Sequence, residues 1–381
     1  MLQSGKGVAR HGGNMDGIMS QANGRSTIRV TRFRGGIAVS ILLALWGCVA
    51  TNAAQSDTIH IAGSAWVGDA PTWVADQSGL FNQDLADDEP RIAVQLHGSG
   101  LEALNDLVDG KAEFALAATT PTALALAGVL DGAHGQPAPI AVLASIALSN
   151  QSHYVISPAG HGIQTPADLV GHRVAIMLGT SSHFGWTQFA AFHGLDDADI
   201  ELIDMPVADM AAGLRAGDIQ AAVIWQPWDL SLREALDDQV TILPMRMLYT
   251  INWLLLAHRD FVSEHPDVAE RVLRAYVNAI ELIDSDPARA LQLHSAAIDV
   301  EVDALAPLAE HMLWRVGMNW SVLVNLGAQF EWLARWPNLS DLVTPQPRDY
   351  LLGQPLKRVA PELVTLPDYL LAAGQSAGDV P

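Results

Sequence analysis

Cysteine is nearly absent from this chain of 381 residues. The single one, Cys48, lies near the N-terminus, so the rest can neither form disulfides nor use a thiol nucleophile. Basic residues are scarce too: 21 Lys and Arg stand against 42 Asp and Glu, a formal net charge of −21. Six of the basic residues but only one acidic residue precede Asp57, so the remainder carries 15 against 41, a net −26. So acidic a chain has no basic stripe to neutralise phosphates, which argues against nucleic acid and anionic lipid as partners. The 13 histidines are scattered, without the His-x-x-x-His or Glu-x-x-His spacing of a metal site. Neither a Gly-x-Ser-x-Gly elbow nor a phosphate-binding Lys loop occurs, so hydrolase and nucleotide-binding readings lack their minimum parts and no cofactor is expected.

The apolar run Ile37 to Trp46 is too short for a permanent membrane span. Arg25, Arg29, Arg32 and Arg34 precede it and small residues follow through Ala54, the basic-apolar-small order of a secretory signal, so residues 1–54 are expected to be a leader. Met19 gives a more usual n-region length than Met1. Cys48 follows Leu45-Trp46-Gly47, which resembles a bacterial lipobox although Trp46 fits poorly where a small residue is preferred. Lipidation at Cys48 and plain cleavage after Ala53 or Ala54 both stay open.

What is present is a repeated unit. Arg173 to Leu178 is an apolar strand pattern that stops at Gly179-Thr180-Ser181-Ser182-His183 and continues as a helical pattern to Gly194; Arg91 to His97, Gly98-Ser99-Gly100 and a helix to Gly110 do the same. Each unit continues into a strand, Glu113–Ala118 before Thr119-Thr120-Pro121 and Ile219–Trp225 before Gln226-Pro227-Trp228. Two such units predict an α/β protein of two lobes facing each other, with ligand bound beyond the carboxyl ends of the strands. The first four amides of a helix lack intrahelical partners, so turns of Gly, Ser and Thr at helix starts make anion cradles.

The expected boundaries are a first lobe at 57–157 plus 250–340, a second at 158–249, and a C-terminal extension at 341–381. Tyr154 to Ile156 reads as the last strand of the first unit, with crossovers near 157–167 and 245–252. From Val268 onward the pattern is helical, Val268, Val272, Tyr276, Ile280 and Ile283 recurring at near-heptad spacing. Trp314, Trp320, Trp332 and Trp336 are read as packing within that helical region. Past Pro345 no period is clear, and the chain reads as a surface wrap.

Thr180, Ser181 and Ser182 could be helix caps and nothing more. Together with Ser99 and Thr119, reached by the same architecture, they point to ligand contact. His183 lies in the first turn, where an imidazole can donate to an anion. Trp66, Trp225 and Trp228 fall in loops at strand ends, where rings line pockets.

Trp73-Val-Ala-Asp-Gln-Ser-Gly-Leu-Phe81, Leu104-Asn-Asp-Leu-Val-Asp-Gly110, Val223-Ile-Trp-Gln-Pro-Trp228 and Arg259-Asp-Phe-Val-Ser-Glu-His-Pro266 together resemble the periplasmic substrate-binding proteins of ABC importers for sulfonates, taurine, nitrate and thiamine-precursor pyrimidines. The resemblance covers roughly residues 57–340. It implies a two-lobed periplasmic-binding-protein fold of type II with a helical C-terminal region, a small-molecule solute as ligand, an inner-membrane ABC permease with its ATPase as partner, a periplasmic location, a monomer and no enzymatic activity. An enzyme on the same fold, of the menaquinone-pathway dehydratase type, is the rival reading; those act in the cytoplasm, which the signal argues against. The family's ligand contacts fall here on Trp66 and Asp69, on Ser99, on Thr119 and Thr120, on Thr180, Ser181, Ser182 and His183, and on Trp225, Gln226 and Trp228. Many relatives have Glu where this chain has Gln226, which weakens the expectation of an amine-bearing ligand such as taurine. Intact-mass analysis of protein from the cell envelope is expected to give a mature N-terminus near Ala54 or at a lipidated Cys48; a full-length cytosolic species would contradict export.

Overall fold

Apolar runs that alternate with helical patterns fold as strand–helix pairs in the computed structural model, which describes residues 58–86, 89–130, 137–336 and 345–372. The proposed leader and Cys48 lie outside the described residues. In chain order, β1 (Ile59–Ser64) leads to α1 (Ala70–Gln77), β2 (Ile92–His97) to α2 (Gly100–Val108) and β3 (Phe114–Ala118) to α3 (Thr119–Leu126). After β4 (Ile140–Ser149) and β5 (His153–Pro158) the alternation resumes: β6 (Arg173–Ile176) with α4 (Ser181–His193), β7 (Glu201–Asp204) with α5 (Val207–Ala216), β8 (Ala221–Trp225) with α6 (Trp228–Ala235). Then come β9 (Val240–Pro244), β10 (Ile251–His258), α7 (Arg259–Glu264), α8 (Pro266–Ser285), α9 (Pro287–Ile298), α10 (Val302–Ala309), β11 (Leu313–Gly317), α11 (Trp320–Leu333) and α12 (Gln354–Val359).

The strands form two sheets, one of order β11-β4-β10-β3-β1-β2 and one of order β7-β6-β8-β5-β9. In the first, β1 is parallel to β2 and β3, while β10 runs antiparallel between β3 and β4. In the second, β6 is parallel to β7 and β8, and β5 is antiparallel to β8 and β9. Tyr154 to Ile156 therefore does not close the first unit. It pairs with Pro244–Ile242 and Ile224–Ala222 inside the second sheet, and the chain crosses between sheets at Asn150–Ser152 rather than at 157–167. The return crossing follows β9, at residues 245–250.

Period-two alternation sorts the second sheet's side chains onto two faces. Val155, Val174, Ile176, Ala221 and Val223 pack with Trp186 and Phe189 of α4, whereas Ile156, Ala175, Ala222 and Ile224 pack with Met210 and Leu214 of α5 and Leu232 of α6. A sheet covered on both faces needs no polar face, which is why these strands read as continuous apolar runs. In the first sheet β10 is buried from Ile251 through Ala257. The heptad-like residues of α8 are all buried, and α8 lies along α1 and α12.

Two expectations about the C-terminal part change. Trp314 sits on edge strand β11 rather than in a helix, and Trp320, at the first turn of α11, is 51% exposed rather than packed. The segment after Pro345 is more than a surface wrap: Leu351 bridges Val142 of β4, Met318 bridges Val364, and Leu351 and Leu356 are fully buried in the first core. Short turns and prolines hid this, because a segment that reaches a core at isolated leucines has no period to detect. Leu356→Ala is expected to cost about 2–5 kcal/mol in urea denaturation, as for a buried leucine; a loss under ~0.5 kcal/mol would mark the segment as surface.

Candidate functional site

Strands of a parallel sheet release their connections at the carboxyl edge, and the turns after β1, β2, β3, β6 and β8 gather there. They enclose a cleft lined from the first sheet by Trp66, Ser99, Gly100, Leu101, Ala118 and Pro121, from the second by Thr180, Ser181 and Trp225, and by Ile251 and Trp253 of the returning β10. None of these side chains is charged. The walls are close: about 20 Å³ remains for the centres of water-sized molecules, room for roughly one or two waters.

The turn after β1 is organised by Asp69. It is fully buried, its carboxylate accepting from the Ser64 amide at 2.6 Å and the Thr72 hydroxyl at 2.5 Å, and Thr72 lies 2.9 Å from the Tyr276 hydroxyl. Burial raises its pKa from 3.8 to about 7, against the hydrogen bonds of Thr72, Ser64 and Trp253, which lower it. Asp69 shapes the turn but does not line the cleft. The Trp66 indole folds over Gly68, where a Cβ would come within 1.8 Å of the ring, and tilts against Trp253 at 4.6 Å between centroids. Gly100 serves the same end, since a Cβ there would meet the Trp253 ring at 2.4 Å. The Trp66 indole N–H is buried without a partner and so is available as a donor.

Hydroxyls come from two helix starts. Ser99 caps α2, accepting from the Glu102 amide at 3.3 Å. Thr180 stands at the N-cap of α4 but donates to the Met177 carbonyl at 2.7 Å, so its side chain makes no cap bond. The Ser181 hydroxyl lies 3.0 Å from His153 Nε2, and Ser152 Oγ 3.2 Å from Nδ1. Burial lowers the His153 pKa to about 3, so the ring is neutral and carries one proton. With that proton on Nε2, Ser181 accepts from the ring and its own O–H is left for the cleft.

The other predicted residues lie outside the lining. Thr119 follows the N-cap Ala118 and donates to the Asn252 carbonyl at 3.3 Å. Thr120 and Ser182 are fully buried. His183 turns to Trp332 and Trp336, at 4.9 and 5.4 Å between ring centroids, and burial lowers its pKa to about 4. Gln226 is fully buried, its amide donating to the Tyr154 hydroxyl at 2.7 Å and lying 3.4 Å from His311 Nδ1. Trp228 donates from its indole to the Gly98 carbonyl at 3.2 Å and ties α6 to the loop before α2. Sequence reasoning missed Ile251, Trp253 and His153. The first two share a face at i and i+2 of β10, an apolar alternation visible in the sequence; His153 has no spacing that would single it out.

A family model described as NMT1/THI5 like matches residues 70–290, more than half of the chain. The taurine-binding periplasmic protein of Escherichia coli (strain K12) is 21% identical over 255 residues, covering 66% of this chain and 75% of that one. The solved periplasmic aliphatic sulphonate binding protein SsuA from Escherichia coli superposes with a TM-score of 0.63 at 19% identity, over 77% of this chain and 97% of that chain. The alkanesulfonate-binding protein SsuA from Xanthomonas axonopodis pv. citri bound to MOPS gives 0.64 at 20% identity, over 76% and 95%. These likenesses show a shared periplasmic-binding-protein fold.

Asp69 yields a pH prediction. Between about pH 4 and 7 the unfolded carboxyl is ionised while the folded one keeps its proton, so this group's contribution is complete below pH 4 and is lost as pH rises through 7, by up to about 4 kcal/mol. His153, His183 and His294 act oppositely, because their pKa values are lowered. The informative curve is therefore wild type minus Asp69→Asn, whose unfolding free energy is expected to fall by a few kcal/mol across that window; a flat difference would refute the displaced pKa.

Proposed function

The chain belongs to the NMT1/THI5-like family, and from that premise we propose that it is the solute-binding component of an ABC importer, exported to the periplasm, which captures a small anionic organic solute of the sulfonate type. It binds without transforming its ligand and delivers it, as a monomer, to an inner-membrane permease with its ATPase. The named relatives for taurine and aliphatic sulphonates support the ligand class.

The observation that carries the reading is the composition of the cleft: hydroxyls of Ser99 and Ser181 at the starts of α2 and α4 with Thr180 beside them, flanked by Trp66, Trp225 and Trp253, with no charged side chain. Neutral N–H and O–H donors suit a weakly hydrated oxyanion, and the rings suit an apolar tail. An ammonium group finds no carboxylate in this lining, since Asp69 is engaged with Ser64 and Thr72 and Gln226 is uncharged.

The two sheets act as lobes that open and close about the crossings at 150–152 and 245–250. A cleft this narrow must open to admit a ligand, and the ligand stabilises the closed form by binding it better. In this reading the Trp228–Gly98 hydrogen bond would break when the lobes open. Calorimetry with an alkanesulfonate, taurine and a neutral pyrimidine tests the assignment. The alkanesulfonate is expected to bind at least tenfold tighter than taurine, a difference of about 1.4 kcal/mol. Binding of the pyrimidine alone would sink the anion reading, and tightest binding of taurine would require a carboxylate in the cleft.

A further inference from the structure

We infer that the buried pair Ser152 and His153 is a positioning device for the cleft: it fixes the direction of the Ser181 hydroxyl, so that Ser181 donates to the ligand and the ligand atom facing it must be an acceptor. The inference rests on the proposed function, since it assigns a role within the same cleft. Ser152 ends the first crossing between the sheets, His153 begins β5 and Ser181 opens α4. The three form a chain, with Ser152 Oγ 3.2 Å from His153 Nδ1 and Ser181 Oγ 3.0 Å from His153 Nε2. Ser152 and His153 are 1% and 6% exposed, whereas Ser181 is half-buried and lines the cleft.

The buried end of the chain sets its direction. A neutral imidazole has one N–H, so one ring nitrogen donates and the other accepts. Among the described residues, His153 Nδ1 is the only hydrogen-bond neighbour of Ser152 Oγ. If Nδ1 carried the proton, Ser152 would accept from it, and its own O–H would be left buried without an acceptor, which folded proteins avoid. With the proton on Nε2, Ser152 donates to Nδ1, the ring donates to Ser181, and no proton is stranded. Burial keeps the ring in the neutral form that this requires. Nor can Ser181 turn its O–H back into the helix without competition, because the Met177 carbonyl, four residues before it, already accepts from Thr180 at 2.7 Å. The Ser181 O–H is therefore directed to the cleft. Thr180, its proton spent on Met177, offers the cleft only an oxygen, while Ser99 accepts from the Glu102 amide and keeps its own O–H free. Ser99 and Ser181 are thus the hydroxyl donors of the lining, one from each sheet, and a head whose oxygens only accept, such as a sulfonate, suits both.

Calorimetry on the whole protein with ethanesulfonate, together with nitrogen NMR spectra of the His153 ring, provides the test. In the wild type Nε2 is expected to carry the proton and Nδ1 to be bare. Ser181→Ala should weaken ethanesulfonate binding about tenfold, as for the loss of a hydrogen bond to a charged group, and His153→Leu by a similar factor. Because His153 acts through Ser181, the double variant should stay within about twofold of Ser181→Ala, whereas a merely structural role would add a separate loss. His153→Gln, whose amide can still donate to Ser181, should recover most of the affinity. A proton on Nδ1, or losses that multiply in the double variant, would overturn the positioning role and leave the sulfonate assignment standing. Failure of the wild type to bind ethanesulfonate would remove that assignment and this role with it. The wild-type spectrum carries the test if the variants at position 153 do not fold.

Discussion

A strand in a parallel sheet cannot turn back on itself and must send the chain across a face as a helix before the next strand begins. Every β–α turn so produced carries free helix amides to the same edge of its sheet. In this protein β1 to β3 and β6 to β8 obey that constraint in two separate sheets. The cleft is where the two edges meet. The Gly, Ser and Thr residues there are what that edge demands: short side chains near helix starts, with Gly68 and Gly100 yielding their Cβ space to the indoles of Trp66 and Trp253.

Electrostatics then follows an unexpected division. A chain of net charge −21 surrounds a cleft whose lining has no charge at all. Burial shifts two ionisable groups beside the cleft towards their neutral forms, His153 below its usual range and Asp69 above it. In the proposed function recognition there would rest on oriented dipoles and hydroxyls in place of ion pairs, and such donors hold their geometry without the cost of burying a counter-charge.

The fold was largely legible because it repeats. Gly194 ends α4 as the spacing predicts, and the turns at Ser99, Thr180 and Trp225 were found by comparing one unit with the other. What failed was assignment between partners that periodicity cannot name. Tyr154 to Ile156 has the pattern of a strand in either sheet, and only the pairing with β8 and β9 decides which. His183 occupies a helix start like its neighbours, yet one step of about 100° around a helix turns its ring to Trp332 and Trp336. Thr119 was expected at a cap and lies one residue beyond it. Trp253 lines the cleft and His153 holds Ser181 behind it, both from strands that belong to neither repeated motif, so likeness between units could not reveal them.

The order of strands in the first sheet has a consequence for synthesis. β4 lies between β10 and β11, and both follow it in the chain, the nearer beginning at Ile251. When Ser149 leaves the ribosome, β4 has no neighbour to pair with, and about 100 further residues must be made first, roughly 5–20 s at bacterial and eukaryotic elongation rates. Through that interval the first core stays open, and a nascent chain that cannot finish folding remains threadable for a translocation channel.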